Sequence, residues 1–137
     1  MLGRVFLDTA FAIALSSEDD GFHGIALNLA DSMEAGRVKM ITTRAVLLEV
    51  GNALAKLRFR AAAIELLHSI EVDSRIEIVE ISSAIYQRAF DLYRSRLDKE
   101  WGLIDCISFV VMQENRVTEA LTTDIHFRQM GFTVLMR

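Results

Sequence analysis

The sequence predicts an α/β domain built on a mostly parallel central sheet. Short, strand-like apolar runs alternate with helix-length segments from one end of the chain to the other, the pattern of successive βα units. Zero prolines and only 7 glycines leave little room for linkers or low-complexity stretches, so regular elements follow one another closely. Polar residues stand where the strand-like runs end. In parallel α/β sheets, the crevice beyond those strand ends is where ligands bind.

Taken in order, Val5-Phe6-Leu7 reads as a buried first strand closed by Asp8 and Thr9. Residues 10–15 then form a short helical turn and 16–21 (SSEDDG) a loop. Over 23–35 the apolar positions Ile25, Leu29 and Met33 recur at helical spacing, and Gly36 is a stop. Residues 38–42 alternate like a strand. Thr42 or Thr43 caps a helix that runs through VLLEVGNALAKL to about Arg58. A helix is expected over 61–70, the strand-like IEIVEI over 76–81, and a long helix from the cap Ser82 to about Leu97. A helix over 103–114 and strands over 120–123 and 132–136 complete the set, with no internal repeat. One domain spanning 1–137 is the expectation.

Composition narrows the function classes. The chain is 52% hydrophobic and 25% charged, and no apolar run approaches the roughly 18 residues of a membrane span. The start, MLGRVFLD, turns acidic too soon for a secretory leader. One cysteine, Cys106, rules out an internal disulfide framework or a Cys-rich zinc site and reads as a small buried side chain. A cytoplasmic protein with no membrane partner is expected. A net charge of −4 and a pI near 5.3 argue against a general electrostatic nucleic-acid binder. They leave open a nucleic-acid enzyme whose acidic site is neutralised by bound cations.

Four carboxylates sit where solvation alone does not explain them. Asp8 closes the first strand, and Glu49 lies between Leu48 and Val50 inside an apolar helix. Asp105 is the one charge in WGLIDCISFV, and Asp124 follows Leu121-Thr122-Thr123 at a strand end. A single buried acid is usually structural, paired with an arginine or hydrogen-bonded. Four that converge repel one another unless a cation lies between them, and hard divalent ions, Mg²⁺ or Mn²⁺, suit an all-oxygen site. A histidine-rich zinc site is disfavoured, because His23, His68 and His126 are not paired at ligand spacing. His126 contacts a ligand acid or substrate, or is an ordinary packed or exposed histidine, the safer default. Thr9 and Ser108 add hydroxyls, Ser108 one helical turn after Asp105. Asn52 and Lys56 extend a polar stripe from Glu49 that is functional or merely an amphipathic surface.

VFLDT (5–9), LLEVGNAL (47–54), WGLIDCISFVVM (101–112) and ALTTDIHFRQMGF (120–132), in that order and spacing, resemble the PIN-domain ribonucleases, most of all the VapC-type toxins of toxin–antitoxin modules. The resemblance covers nearly the whole chain. It implies a three-layer α/β/α sandwich in which carboxylates bind Mg²⁺ or Mn²⁺ and cleave RNA, leaving 5′-phosphate and 3′-hydroxyl ends. On that basis Asp8, Glu49 and Asp105 match the three core acidic ligands and Asp124 the fourth, with Thr9, Asn52 and Ser108 in supporting positions. It also implies a homodimer and a cognate antitoxin that silences the toxin. Gly102 and Ile104 depart from the family's W-S-x-T-D pattern, so the helix start that aims Asp105 is expected to lack a hydroxyl acceptor.

Other classes fit less well. A haloacid-dehalogenase-like phosphatase wants a second aspartate where Ala10 stands, and a receiver domain wants an acidic pair and a late lysine that are missing. The chain lacks the insertions of larger structure-specific DNA nucleases. The alternative that stays open is a PIN-like domain that binds RNA or protein with weak or no nuclease activity. The basic clusters Arg58-Phe59-Arg60 and Arg94-Ser95-Arg96, with Lys99, either steer RNA or are solvated helix ends.

Overall fold

Each strand-like run becomes a strand of one sheet, and each helical stretch becomes a crossover between strands. The computed structural model describes residues 3–137, so the first two positions of the expected 1–137 domain lie outside the described residues. Strands β1 (Arg4–Leu7), β2 (Lys39–Thr43), β3 (Ile76–Val79), β4 (Glu119–Leu121) and β5 (Thr133–Val134) pair only in parallel, in the order β3-β2-β1-β4-β5. The expected mostly parallel sheet is thus parallel throughout. Val5, Phe6 and Ile41 are fully buried in its centre, as continuous apolar runs in a sheet covered on both faces should be.

Helices α1 (Thr9–Ser16) and α2 (His23–Ala35) link β1 to β2, and α3 (Arg44–Ala53) and α4 (Leu57–Val72) link β2 to β3. The chain then reverses direction across the sheet. Helices α5 (Ser83–Ser95) and α6 (Leu103–Glu114) carry it to β4, and α7 (Ile125–Gln129) to β5. Right-handed crossovers running in opposite directions put the first four helices on one face and the last three on the other. That is the three-layer α/β/α sandwich. The reversal makes β1 and β4 neighbours across a topological switch point, where a crevice opens beyond the strand ends.

Three expectations need correction. The helix through VLLEVGNALAKL ends at Ala53 instead of near Arg58, and Lys56 is the N-cap residue of α4. Glu49, Asn52 and Lys56 therefore do not share one helix, and the proposed polar stripe breaks at Asn52. Residues 10–15 are part of a full two-turn helix. Helix α7 stands between the expected strands over 120–123 and 132–136, where no element was assigned; Asp124 caps its start, and Gly131 (φ 99°) adopts the left-handed turn just after its end.

Helix α6 is buried almost all round, from Cys106 through Met112. Its Phe109 meets Trp101 edge-on at 5.2 Å and Phe127 of α7 edge-on at 5.0 Å. Trp101 is further tied by its indole N–H, which donates to Gln129 Oε1 at 2.9 Å. These contacts lock the start of α6 against α7 and so fix where Asp105 points relative to Asp124.

Candidate active site

The crevice at the β1–β4 switch point is lined by carboxylates delivered from four elements. Asp8 follows β1 as the N-cap residue of α1, and Asp124 follows β4 as the cap of α7. Glu49 comes from the middle of α3 and Asp105 from the first turn of α6. All four sequence-predicted acids converge here: Glu49 and Asp105 lie close enough to Asp8 to repel its charge, and Asp124 does the same to Asp105.

Hydroxyl and backbone N–H donors reach each acid. Asp8 is 7% exposed, and its Oδ2 accepts a 2.7 Å bond from the Thr122 hydroxyl. Thr122 Oγ1 in turn accepts from the Asp124 backbone N–H at 3.0 Å, linking two of the acids. The Thr9 hydroxyl donates to Glu49 Oε1. Thr42, buried beside them, donates to the Leu7 carbonyl at 2.7 Å and holds the ends of β1 and β2 together, while Thr43 caps α3 by accepting from the Val46 N–H. Gly102 N–H donates to Asp105 Oδ2 at 3.1 Å, so the carboxylate reaches back over the start of its own helix. Gly102 is the residue at the cap, and the missing hydroxyl leaves Asp105 anchored by a backbone N–H.

The electrostatics follow from burial and crowding. Desolvation pushes the Asp8 carboxyl up to about 7 from 3.8, against the opposing pull of the Thr122 hydrogen bond, with repulsion from Asp105 and Glu49 adding to the rise. Asp105 is raised too, chiefly by burial and then by Asp124, and the Gly102 N–H offsets part of this. Burial also raises the Cys106 thiol to about 11, which keeps it protonated and unsuited to attack as a nucleophile. Among the described residues, no lysine or arginine forms an ion pair with any of the four acids, although arginines pair with acids elsewhere on the surface.

The basic group that does enter the crevice is His126. Its Nδ1 lies 3.2 Å from Asp105 Oδ2 and 3.3 Å from Asp124 Oδ1, so the contact to an acid, and not the ordinary packed or exposed histidine, is what the fold builds. Ligand atoms of Asp105, Asp124 and His126 all lie within 4.8 Å of one another, a grouping able to hold a metal ion. Carboxylates in mutual repulsion, with no lysine or arginine among the described residues paired to them, fit a divalent cation by charge and by donor type.

The supporting residues fare unevenly. Thr9 is in the site. Ser108 is fully buried one turn beyond Asp105, and its hydroxyl has no hydrogen-bond partner among the described residues. Asn52 is exposed on α3, and its side chain makes no hydrogen bond among the described residues. Thr122 was not singled out from the sequence, though the run Thr122-Thr123-Asp124 at a strand end beside β1 carried the signal.

The model of the PIN domain family matches residues 5–133. The chain belongs to the PIN domain family. Over 128 residues it is 25% identical to the 23S rRNA-specific endonuclease VapC20 of Mycobacterium tuberculosis, covering 93% of this chain and 95% of that protein. The crystal structure of that VapC20, described as a sarcin–ricin loop cleaving toxin, superposes with a TM-score of 0.82 at 23% identity, over 94% of this chain and 96% of that one. VapBC2 of Rickettsia felis, bound to a promoter DNA fragment, gives a TM-score of 0.70 at 15% identity over 96% of each chain. FitAcB of Neisseria gonorrhoeae gives 0.63 at 16% over 95% of each. These structures share the fold described above.

Proposed function

We propose that this PIN domain is a metal-dependent endoribonuclease, the toxin of a VapBC-like pair, and that Asp8, Glu49, Asp105 and Asp124 hold Mg²⁺ or Mn²⁺. The observation that carries the reading is the convergence of four carboxylates on one crevice, with no lysine or arginine among the described residues paired to them. Similarity to an rRNA endonuclease over nearly the full length of both chains supports RNA as the substrate. It favours cleavage over a PIN-like domain that only binds.

Asp8 and Asp105, the two whose burial costs most, would ligate directly, with Glu49 and Asp124 on a second ion or acting through water. Held by these acids, a divalent cation would supply charge neutralisation at the phosphate, a water of lowered pKa and stabilisation of the leaving oxygen. The protein's own part is orientation. Thr122 aims Asp8, Thr9 aims Glu49, and the Gly102 N–H aims Asp105, so donors are in place before substrate arrives. RNA would reach the crevice along the open groove beside Gly102, which Arg94, Arg96, Lys99 and Trp101 line. Each phosphate contact made there adds close to one unit to the salt dependence of binding.

Partners follow the same reading. Toxin–antitoxin assemblies among the structural neighbours support an antitoxin as partner. The apolar cleft between α1, α2 and α4, lined by Phe11, Leu15, Met33 and Leu66, suits a segment of such a protein. A homodimer would use the exposed row of Tyr86, Phe90 and Tyr93 on α5. The test is incubation of tRNA, mRNA and rRNA fragments with the protein and Mn²⁺, with Asp105→Ala as control. Cleavage by the wild type alone supports the proposal; equal cleavage by both overturns it.

A further inference from the structure

We propose that His126 is itself a ligand, giving the site a nitrogen donor that makes it select Mn²⁺ over Mg²⁺. This rests on the crevice being the metal centre, as proposed above, with Asp124 on a second ion that Asp105 also reaches, and names a residue and a preference beyond it.

Geometry comes first. Adjacent donors on an octahedral ion with bonds of about 2.1 Å are separated by about 3.0 Å. His126 Nδ1 stands 3.2 Å from Asp105 Oδ2 and 3.3 Å from Asp124 Oδ1. Both separations are close to that spacing, and the three ligand atoms all lie within 4.8 Å of one another. The imidazole is not a loose surface group that happens to swing inward. The His126 backbone N–H donates to Asp124 Oδ1 at 2.8 Å, and the next residue, Phe127, is fully buried between Phe6 and Phe109. Among the described residues, the ring's polar contacts run through Nδ1 to these two acids. An ion bound at Nδ1 leaves the ring proton on Nε2.

Donor chemistry then sets the preference. Mg²⁺ demands oxygen donors and gives up its waters reluctantly, whereas imidazole suits first-row transition metals. Two carboxylates alone would discriminate little between Mg²⁺ and Mn²⁺. Two carboxylates and an imidazole favour Mn²⁺, so the histidine, and not the acids, sets the selectivity.

The experiment is calorimetric titration of the full-length protein with Mn²⁺ and, separately, Mg²⁺, for wild type, His126→Gln and Asp105→Asn. Pulsed paramagnetic resonance of the Mn²⁺ complex, which detects a directly bound nitrogen, accompanies it. Wild type should bind Mn²⁺ the tighter and show nitrogen coupling. His126→Gln should lose the coupling and at least about tenfold in Mn²⁺ affinity, with Mg²⁺ affinity nearly unchanged because glutamine still offers an oxygen. Asp105→Asn should weaken both ions. Unchanged Mn²⁺ affinity in His126→Gln, or a wild-type complex without nitrogen coupling, overturns the histidine's role while leaving the carboxylate centre standing. A wild type that binds neither ion overturns both.

Discussion

Asp8 concentrates the conflict between stability and function in one side chain. Its carboxyl titrates near 7 in the fold against 3.8 ordinarily, so between those values the native state keeps a proton that the unfolded chain has released. Stability of the metal-free protein should therefore fall as pH rises from about 4 to about 7 and level off above, with a total loss on the order of 4 kcal/mol. Asp8→Asn removes the charge and keeps the shape. In chelator at pH 8 it should unfold at higher denaturant than wild type, with the gap closing toward pH 4, while cleavage is abolished. Urea titrations at the two pH values check this. Thr122→Val deletes the donor that favours the ionised form, so the Asp8 carbon resonance should titrate at higher pH than in wild type. The four acids were legible because a carboxylate inside an apolar run is chemically out of place. Thr122 was not, because its partner Asp8 lies 114 residues away and only sheet pairing brings them together.

At the level of elements, the first turn of α6 is the informative case. The departures at Gly102 and Ile104 imply a helix start short of a hydroxyl acceptor, yet the Gly102 N–H supplies Asp105 with an anchor that any residue but proline could provide. A side chain there has room, since an added Cβ would sit 3.8 Å from Asp105 Oδ2. Gly102→Ser should therefore stabilise the protein by a few tenths of a kcal/mol through a new N-cap acceptor, measured by thermal unfolding. A loss of stability would mean that the serine displaces the carboxylate. Helix ends with strong local signals were readable: Thr43 and Ser82 cap α3 and α5 as their positions suggested. The break between α3 and α4 was not, because no glycine or proline follows Ala53 where the helix stops, and Gly51 lies inside its last turn. Helix α7 is only five residues long, below the length at which periodicity speaks, although Asp124 before it and Gly131 after it were its signature.

For the whole molecule, alternation of strands and helices made the α/β class readable, whereas the strand order was not, since nothing local says that β4 returns to the far side of β1. That return places Asp124 and His126 opposite Asp8 and Asp105. The crevice is thus a property of topology, and its repulsion is borne by the entire fold. An ion that relieves it should raise the melting temperature in proportion to the logarithm of its concentration above Kd, roughly 2.7 kcal/mol at a hundredfold excess. A melting temperature indifferent to Mn²⁺ would deny the cation its place. The most direct test of the central claim is cleavage of an RNA substrate by wild type and Asp8→Asn, each with Mn²⁺ and with chelator. Cleavage by wild type in Mn²⁺ alone, with Asp8→Asn folded and inert, is the expected result; cleavage that persists in chelator, or in the variant, contradicts it.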